Sequence, residues 1–597
     1  MFVTYHYFLG LRNLTVISDC EKTICSYGQN FDINAIPLDD QNVFDMLSQG
    51  LTGGVFQLES PGMRRMLTQL KPNSIEDMIA AISLYRPGPM DSIPKYIHNR
   101  HHPEDIKYLT PMLSDILDVT YGCIVYQEQV MQICRALGGY SYGQADLVRR
   151  AMSKKKADVM EKERVHFIEG CAKNNIDEKT ANTIFDDMSS FAAYAFNKSH
   201  AAAYAYVSYQ TAYLKYHYPK EYMAALLTSI LDSTDKVIEY IEECNKLGIA
   251  VLPPDINESY KGFTVTRDGI RFGLMAIKNL GEGIIEKIIA EREEKGDFKN
   301  FVDFYRRMYC TELNKRAIES LIRSGAMDSM GENRKSMLHG YVKIADTVAN
   351  EHMWRSVGQM SLFGSANKPE ELTIPELPEF DDLEMYAMEK EVTGLYISGH
   401  PINKYEELIK GIKAVKIISL ISTDLNSEYD NKDIKVVAMV TAKKIKITRN
   451  NTTMAFVTLE DNTGSIEAIL FSKLYDELNR HIEVGFPVMI KGKVSLKENG
   501  ASKLIIDYVE TADITLDKYL KNKNKQGLYI QVPSMDSTEA SKAIEIINVF
   551  HGDTTVYFYP TDTKKLLKGK ESMQVDMCDI LIKELKGALG DENIKIK

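Results

Sequence analysis

Hydrophobic residues recur every three to four positions over most of residues 40–250, which predicts a long run of helices. Turn signals cut that run at Gly53-Gly54, Arg86-Pro87-Gly88-Pro89, Gly138-Gly139 and Tyr218-Pro219. Leu252-Pro253-Pro254-Asp255 marks a boundary, and a smaller helical unit follows to about Asp328. Beyond it lie a polar stretch, a Pro/Glu-rich linker over 365–380 and a short helical connector to Gly399-His400-Pro401. From 434 to about 510 the period changes to two, predicting five or so short strands around one helix near 474–478. A Lys-rich linker is expected over 517–526. The rest reads as strand 528–532, helix 539–550, strand 555–559 and helix 578–589.

A chain of 597 residues is too long for one core, and its 44% hydrophobic and 26% charged content is that of ordinary globular protein. No apolar run reaches membrane-spanning length. The eight cysteines are scattered without a CxxC pair, which disfavours a zinc ribbon or disulfide framework and suits a reducing cytoplasm. A net charge of -11 disfavours nucleic-acid binding by the whole surface. Contact with nucleic acid therefore has to come from local basic patches.

The densest such patch is Arg149, Arg150, Lys154, Lys155 and Lys156. On a helix Arg150 and Lys154 face one way, and the stripe suits a triphosphate or, equally, a solvated face or a phosphodiester contact. About forty-five residues later stands Phe196-Asn197-Lys198-Ser199-His200, with Asn197 or Ser199 as the cap of a helix that alternates alanine with tyrosine. Its small residues would let it lie close to a base pair, and its N-terminus with Lys198 and His200 suits phosphate. The plainer alternative is an alanine-rich core helix.

Gly54-Val55-Phe56-Gln57-Leu58-Glu59-Ser60, Tyr85-Arg86-Pro87-Gly88-Pro89, Tyr126-Gln127-Glu128-Gln129-Val130-Met131, Arg149 to Lys155 and Phe196 to Ala205 occur in one order. Together they resemble the fingers domain of the alpha subunit of bacterial DNA polymerase III. The likeness continues through Ala387-Met388-Glu389-Lys390-Glu391 and Ser398-Gly399-His400-Pro401 to the end. It implies a multidomain α+β protein with a large helical fingers domain, a helix-hairpin-helix domain, an OB-fold β-barrel and a small C-terminal α/β module. The expected bounds are a palm remnant at 1–35, fingers at 36–255, helix-hairpin-helix and clamp-binding domain at 256–365, connector at 366–430, OB-fold at 431–515 and loader-binding module at 526–597. The resemblance further implies that Arg149, Arg150, Lys154 and Lys155 bind the phosphates of a dNTP, with Lys198 and His200 beside the nascent pair.

Ile277-Lys278-Asn279-Leu280-Gly281-Glu282-Gly283 reads as helix–Gly-x-Gly–helix, in which Gly281 and Gly283 allow a tight turn and the second helix's N–H groups take a DNA phosphate near Lys278. A plain helical hairpin has the same pattern. Gln359, Leu362 and Phe363 form an exposed apolar plug in a polar loop, which the family likeness assigns to the sliding clamp and which could otherwise tether the connector. In the period-two region, Lys443, Lys444, Lys446 and Arg449 surround the first turn. Phe456 and Phe471 are either stacking platforms for single strands or barrel core.

Nucleotidyl transfer needs closely placed carboxylates to hold magnesium. In the family two aspartates come from a Pro-Asp-x-Asp-x-Asp-like motif and a third directly precedes Phe-Leu-Gly-Leu. The first motif does not occur here, and Tyr7 precedes Phe8-Leu9-Gly10-Leu11. The phosphoesterase-like domain, most of the palm and the thumb are likewise missing from these residues. The reading is a truncated, interrupted or split polymerase gene product that binds primer-template DNA, dNTP, sliding clamp and the clamp-loader tau subunit. It is expected to be inactive alone and to need a separate N-terminal chain to supply the Mg2+ ligands. A non-catalytic DNA-tethering, clamp-binding factor is the alternative.

Overall fold

The computed structural model describes residues 11–596 except 87, 154–156, 193–195, 232, 310–312, 358–371, 422–428, 449, 496–501 and 524–526. The chain divides into two units, Met1–Gly399 and His400–Lys597.

In the first unit the alanine-rich helix is Lys198–His217, and Asn197 caps it by accepting from the His200 N–H at 2.8 Å. Ala201, Ala205 and Ala212 are buried, and their helix packs on the helix Ile75–Leu84, itself carrying buried Ala80 and Ala81. Small residues on both sides let these helices approach closely. The plainer reading thus holds for the buried stripe, while Ser199, His200 and Ala203 stay exposed. The helix Arg12–Ser26 buries Val16, Ile17, Cys20 and Ile24 in the same core and packs on Pro219–Ser229.

That core continues without a break from Val16 to Val348, across the Pro253-Pro254 boundary. A small sheet spans the boundary: β1 (Val251–Leu252) lies parallel to β3 (Ile270–Arg271), which pairs antiparallel with β2 (Thr264–Val265). A second core is separate. It is built from the helices Gln127–Gly138, Tyr142–Ser153, Ala157–Lys173 and Glu178–Ala192, around Phe167, Phe185 and Met188.

In the second unit β4 (Asp433–Ile447), β5 (Thr453–Asp461), β6 (Gly464–Leu470), β8 (Lys503–Thr511) and β7 (Pro487–Ser495) form a closed barrel in that order. Alternation decides what fills it: Ala455, Val457 and Leu459 point inward. The expected internal helix is Ser472–Leu478. The expected linker over 517–526 differs, since Ala512–Lys523 is helical. Ala512, Leu516 and Tyr519 pack on Met439 and Met489 outside the barrel, and that burial overrides the lysine-rich composition.

The C-terminal module has β9 (Gly527–Val532) and β10 (His551–Pro560) parallel at its centre. Edge strands β11 (Leu567–Lys568) and β12 (Ile594–Ile596) were not foreseen. Helices Thr538–Ile547 and Asp579–Leu589 complete an α/β unit with its own core.

Candidate nucleotide and nucleic-acid interface

Tyr126-Gln127-Glu128-Gln129 stands where the two cores of the first unit meet. Tyr126 belongs to the large core, and Val130 on the same helix belongs to the smaller one. The backbone at Tyr126 bridges to Phe196, with the Gln127 N–H donating to the Phe196 carbonyl at 2.9 Å. Glu128 accepts from the Asn197 side chain at 2.8 Å and from the Lys198 N–H at 3.0 Å. A carboxylate at a helix N-terminus is favoured by the helix dipole. Gln129 is buried and satisfied, accepting from Val125 and Tyr126 N–H and donating to Thr120 Oγ1.

The same motif positions the cationic helix. Arg149 donates to Gln127 Oε1 at 2.9 Å and, through Nε and a terminal nitrogen, to Asp146 Oδ1. Arg150 reaches Asp146 Oδ2 at 2.8 Å. Arg149 is 20% exposed and Arg150 63%. Hydrogen bonding from Arg149 and the charges of both guanidiniums hold the Asp146 carboxyl below its ordinary pKa. Asp146 was overlooked in the sequence, although its i,i+3 and i,i+4 spacing to the two arginines is legible there. Lys198 Nζ lies 3.0 Å from Glu76 and 5.3 Å from the Tyr126 ring centre. Lys154 and Lys155 lie outside the described residues.

An aromatic column runs beside this junction. Arg86 sits 3.9 Å over the Phe196 ring, Phe196 lies 5.3 Å from His200, His200 4.5 Å from Tyr204, and Tyr204 5.4 Å from Phe56. Phe56 is delivered by a loop tied down from several sides. Its N–H donates to Thr211 Oγ1, and buried Lys215 donates to the Leu51 and Gly53 carbonyls and to Glu243 at 2.6 Å. A Cβ at Gly53 would come within 2.4 Å of the Glu243 carboxyl, so a larger residue there would have to displace that side chain. Three of the five sequence motifs thus meet along one column; the Tyr126 motif joins it through the backbone bridge to Phe196, and the cationic helix through Gln127.

At 274–285 the geometry differs from expectation. The first helix is a single 3-10 turn, Leu274–Ala276, and the left-handed residue is Asn279 (φ 66°) rather than a glycine. Gly281 caps the helix Glu282–Lys295 with no side chain, and a Cβ on Gly281 or Gly283 would meet nothing. Ile284 and Ile285 N–H bond back to the Gly281 carbonyl. The turn therefore needs neither glycine's conformational freedom, but their bareness leaves the helix N-terminus approachable. Lys278 is exposed, with its ammonium on the Glu391 carbonyl at 2.8 Å.

On the barrel Phe456 is half-buried on the outer face, and Phe471 is 46% exposed, so neither is core. Lys444 pairs in register with Phe456, placing both on the outside, with the Lys503 ammonium 5.8 Å from the Phe456 ring. Lys446 is exposed. Lys443 is not free in the same way: its ammonium donates to the Asn479 and Ile482 carbonyls at 3.2 and 2.7 Å, and burial pushes its pKa down. Gln359, Leu362, Phe363, Arg449 and Tyr7 lie outside the described residues.

Among the described residues no three His, Cys, Asp or Glu side chains gather as metal ligands. No helix among them is long and apolar enough to cross a membrane.

Comparison with known proteins places these features. The model for the bacterial DNA polymerase III alpha subunit finger domain matches residues 13–175, that for a helix-hairpin-helix motif 248–337, and that for an OB-fold nucleic acid binding domain 434–512. The DNA polymerase III subunit alpha of Borreliella burgdorferi is 38% identical over 570 residues, 94% of this chain and 49% of that protein. The chain belongs to the bacterial DNA polymerase III alpha-subunit family. The alpha subunits of Thermus aquaticus (38% identity, 92% of this chain and 45% of theirs) and Escherichia coli K12 (36%, 99% and 52%) agree. The chain thus spans about half the length of these alpha subunits. Within the family, the finger model covers the Gln127–Glu128 junction and the cationic helix, and the relatives' alignments extend past them.

Proposed function

We propose that this chain is the nucleotide-, DNA- and clamp-holding portion of a replicative polymerase alpha subunit, acting in DNA replication in the cytoplasm. The supporting observation is the junction at Gln127 and Glu128, which ties Arg149 and Lys198 from two separate cores to adjacent residues. Arg149, Arg150, Lys154 and Lys155 neutralise the triphosphate of an incoming dNTP, and Lys198 and His200 flank the nascent pair. The bare helix start at Gly281 and Gly283, beside Lys278, takes a duplex phosphate. Lys444, Lys446 and Phe456 hold the single-stranded template, and Lys443 supports the barrel beneath them. Gln359, Leu362 and Phe363 plug the sliding clamp. The C-terminal module docks the loader's tau subunit through its helical layer, where Val549 and Ile580 are 74% and 64% exposed.

A bound Mg2+ would supply activation of the primer hydroxyl and charge neutralisation at the pyrophosphate. The carboxylates for it are supplied by residues outside these 597, because Tyr7 occupies the third family position. The chain alone therefore holds substrates without joining them. Primer extension by the purified chain, with DNA titrated in parallel, tests this: binding without extension is expected, and extension would overturn it. The tethering-factor alternative rests on the same Tyr7. It predicts no synthesis even when an N-terminal polymerase chain is added.

A further inference from the structure

The C-terminal sheet carries its helices on one face. Leu528, Ile530, Val532, Val556 and Phe558 point to that layer and are buried. On the opposite face Tyr529 and Tyr557 are half-buried, while Lys568 and Lys595 are exposed. Strand register brings these four into one row: Lys568 opposite Tyr557, Tyr557 beside Tyr529, Tyr529 opposite Lys595. The two rings are stacked with centroids 4.8 Å apart and planes 13° off parallel. Gly527 leaves them room, since a Cβ there would meet the Tyr557 ring at 2.6 Å and the Tyr529 ring at 3.2 Å. Exposed Lys564, Lys565 and Lys570 flank Lys568 in the hairpin. The linear sequence already gathers four of these lysines within residues 564–570, and folding sets Lys595 across the sheet from that hairpin.

We propose that this open face binds single-stranded nucleic acid, at a site separate from the barrel. Bases stack on paired aromatic rings whatever their sequence, and flanking ammonium groups meet the phosphates on either side. A central pair of aromatics bracketed by lysines on the helix-free face of a four-stranded sheet has that chemistry. A docked peptide strand would instead use the backbone of an edge strand, and a protein partner would need a wider apolar patch than two rings.

The test uses the full chain and a short oligothymidylate carrying 5-iodouracil, cross-linked by light and mapped by mass spectrometry of the digest. Cross-links at Tyr529 or Tyr557 are expected besides any on the barrel. The exposed-lysine variant K568E/K595E should lower their yield about tenfold while leaving barrel cross-links and Tm unchanged. Cross-links confined to the barrel or the first unit would overturn the proposal, as would yields at the tyrosines indifferent to the charge reversal. Acetylation gives a second readout. Protection of Lys568 and Lys595 by the oligonucleotide supports the site, whereas protection by a partner protein alone overturns it in favour of protein docking.

Discussion

Glu128 accepts the Lys198 backbone N–H at 3.0 Å, seventy positions along the chain. With the Asn197 side chain on its other oxygen, one carboxylate ends one helix's first turn and begins another. Replacing Glu128 by alanine removes two charge-assisted bonds, with an expected loss of about 1–3 kcal/mol in urea unfolding. Affinity for a fluorescent dNTP should fall as well, because Lys198 loses its anchor. A stable variant with unchanged affinity would contradict the junction's role.

Asp146 holds Arg149 and Arg150 in the absence of ligand. A triphosphate must compete with that carboxylate. Asp146→Asn should therefore tighten triphosphate binding roughly two- to fivefold, the range expected for a solvent-screened ion pair. The salt dependence should steepen, and titration at two ionic strengths measures both.

The Lys215–Glu243 pair gives the first unit an acid limit. Burial pushes the Glu243 carboxyl up, but the charge and hydrogen bond of Lys215 outweigh it, leaving the pKa below its ordinary 4.5. A depressed carboxylate contributes stability above the unfolded pKa, and that contribution is lost as pH falls through the folded value. Thermal unfolding followed below pH 5 should show this loss. In Glu243→Gln the acid sensitivity should shrink, at a cost near neutrality of about 3–5 kcal/mol from a buried lysine without its counter-charge.

Barrel substitutions should separate surface from support. Phe456→Ala should weaken single-strand binding by about 1–3 kcal/mol with little change in Tm. Lys444→Ala should reduce the salt slope by about one. Lys443→Ala should lower Tm instead, since its ammonium serves two carbonyls. A salt-slope change at Lys443 equal to that at Lys444 would contradict this division.

The barrel was legible because its strands alternate strictly, and the same alternation puts Phe456 outside between inward-facing Ala455 and Val457. The cap at Asn197 was legible for a similar local reason. Other features needed the fold. Glu128 and Lys198 are too far apart in sequence to be paired by spacing, and Glu76 is farther still. The Gly-x-Gly pattern pointed to the correct helix start, but the turn's unusual residue is Asn279, whose side chain bonds Ser320. Lysines 518, 521 and 523 hid a helix whose apolar side packs on the barrel.

The two cores of the first unit have a consequence for motion. Arg149 sits on one independently packed body and Lys198 on the other, joined at the Tyr126–Phe196 seam. Amide exchange should report two cooperative blocks, with the 127–192 block opening without the rest. A ligand gripping both cations would act as a clasp across the seam. It would slow exchange in a lobe that it mostly does not touch, so the smaller lobe's protection should rise and fall with occupancy.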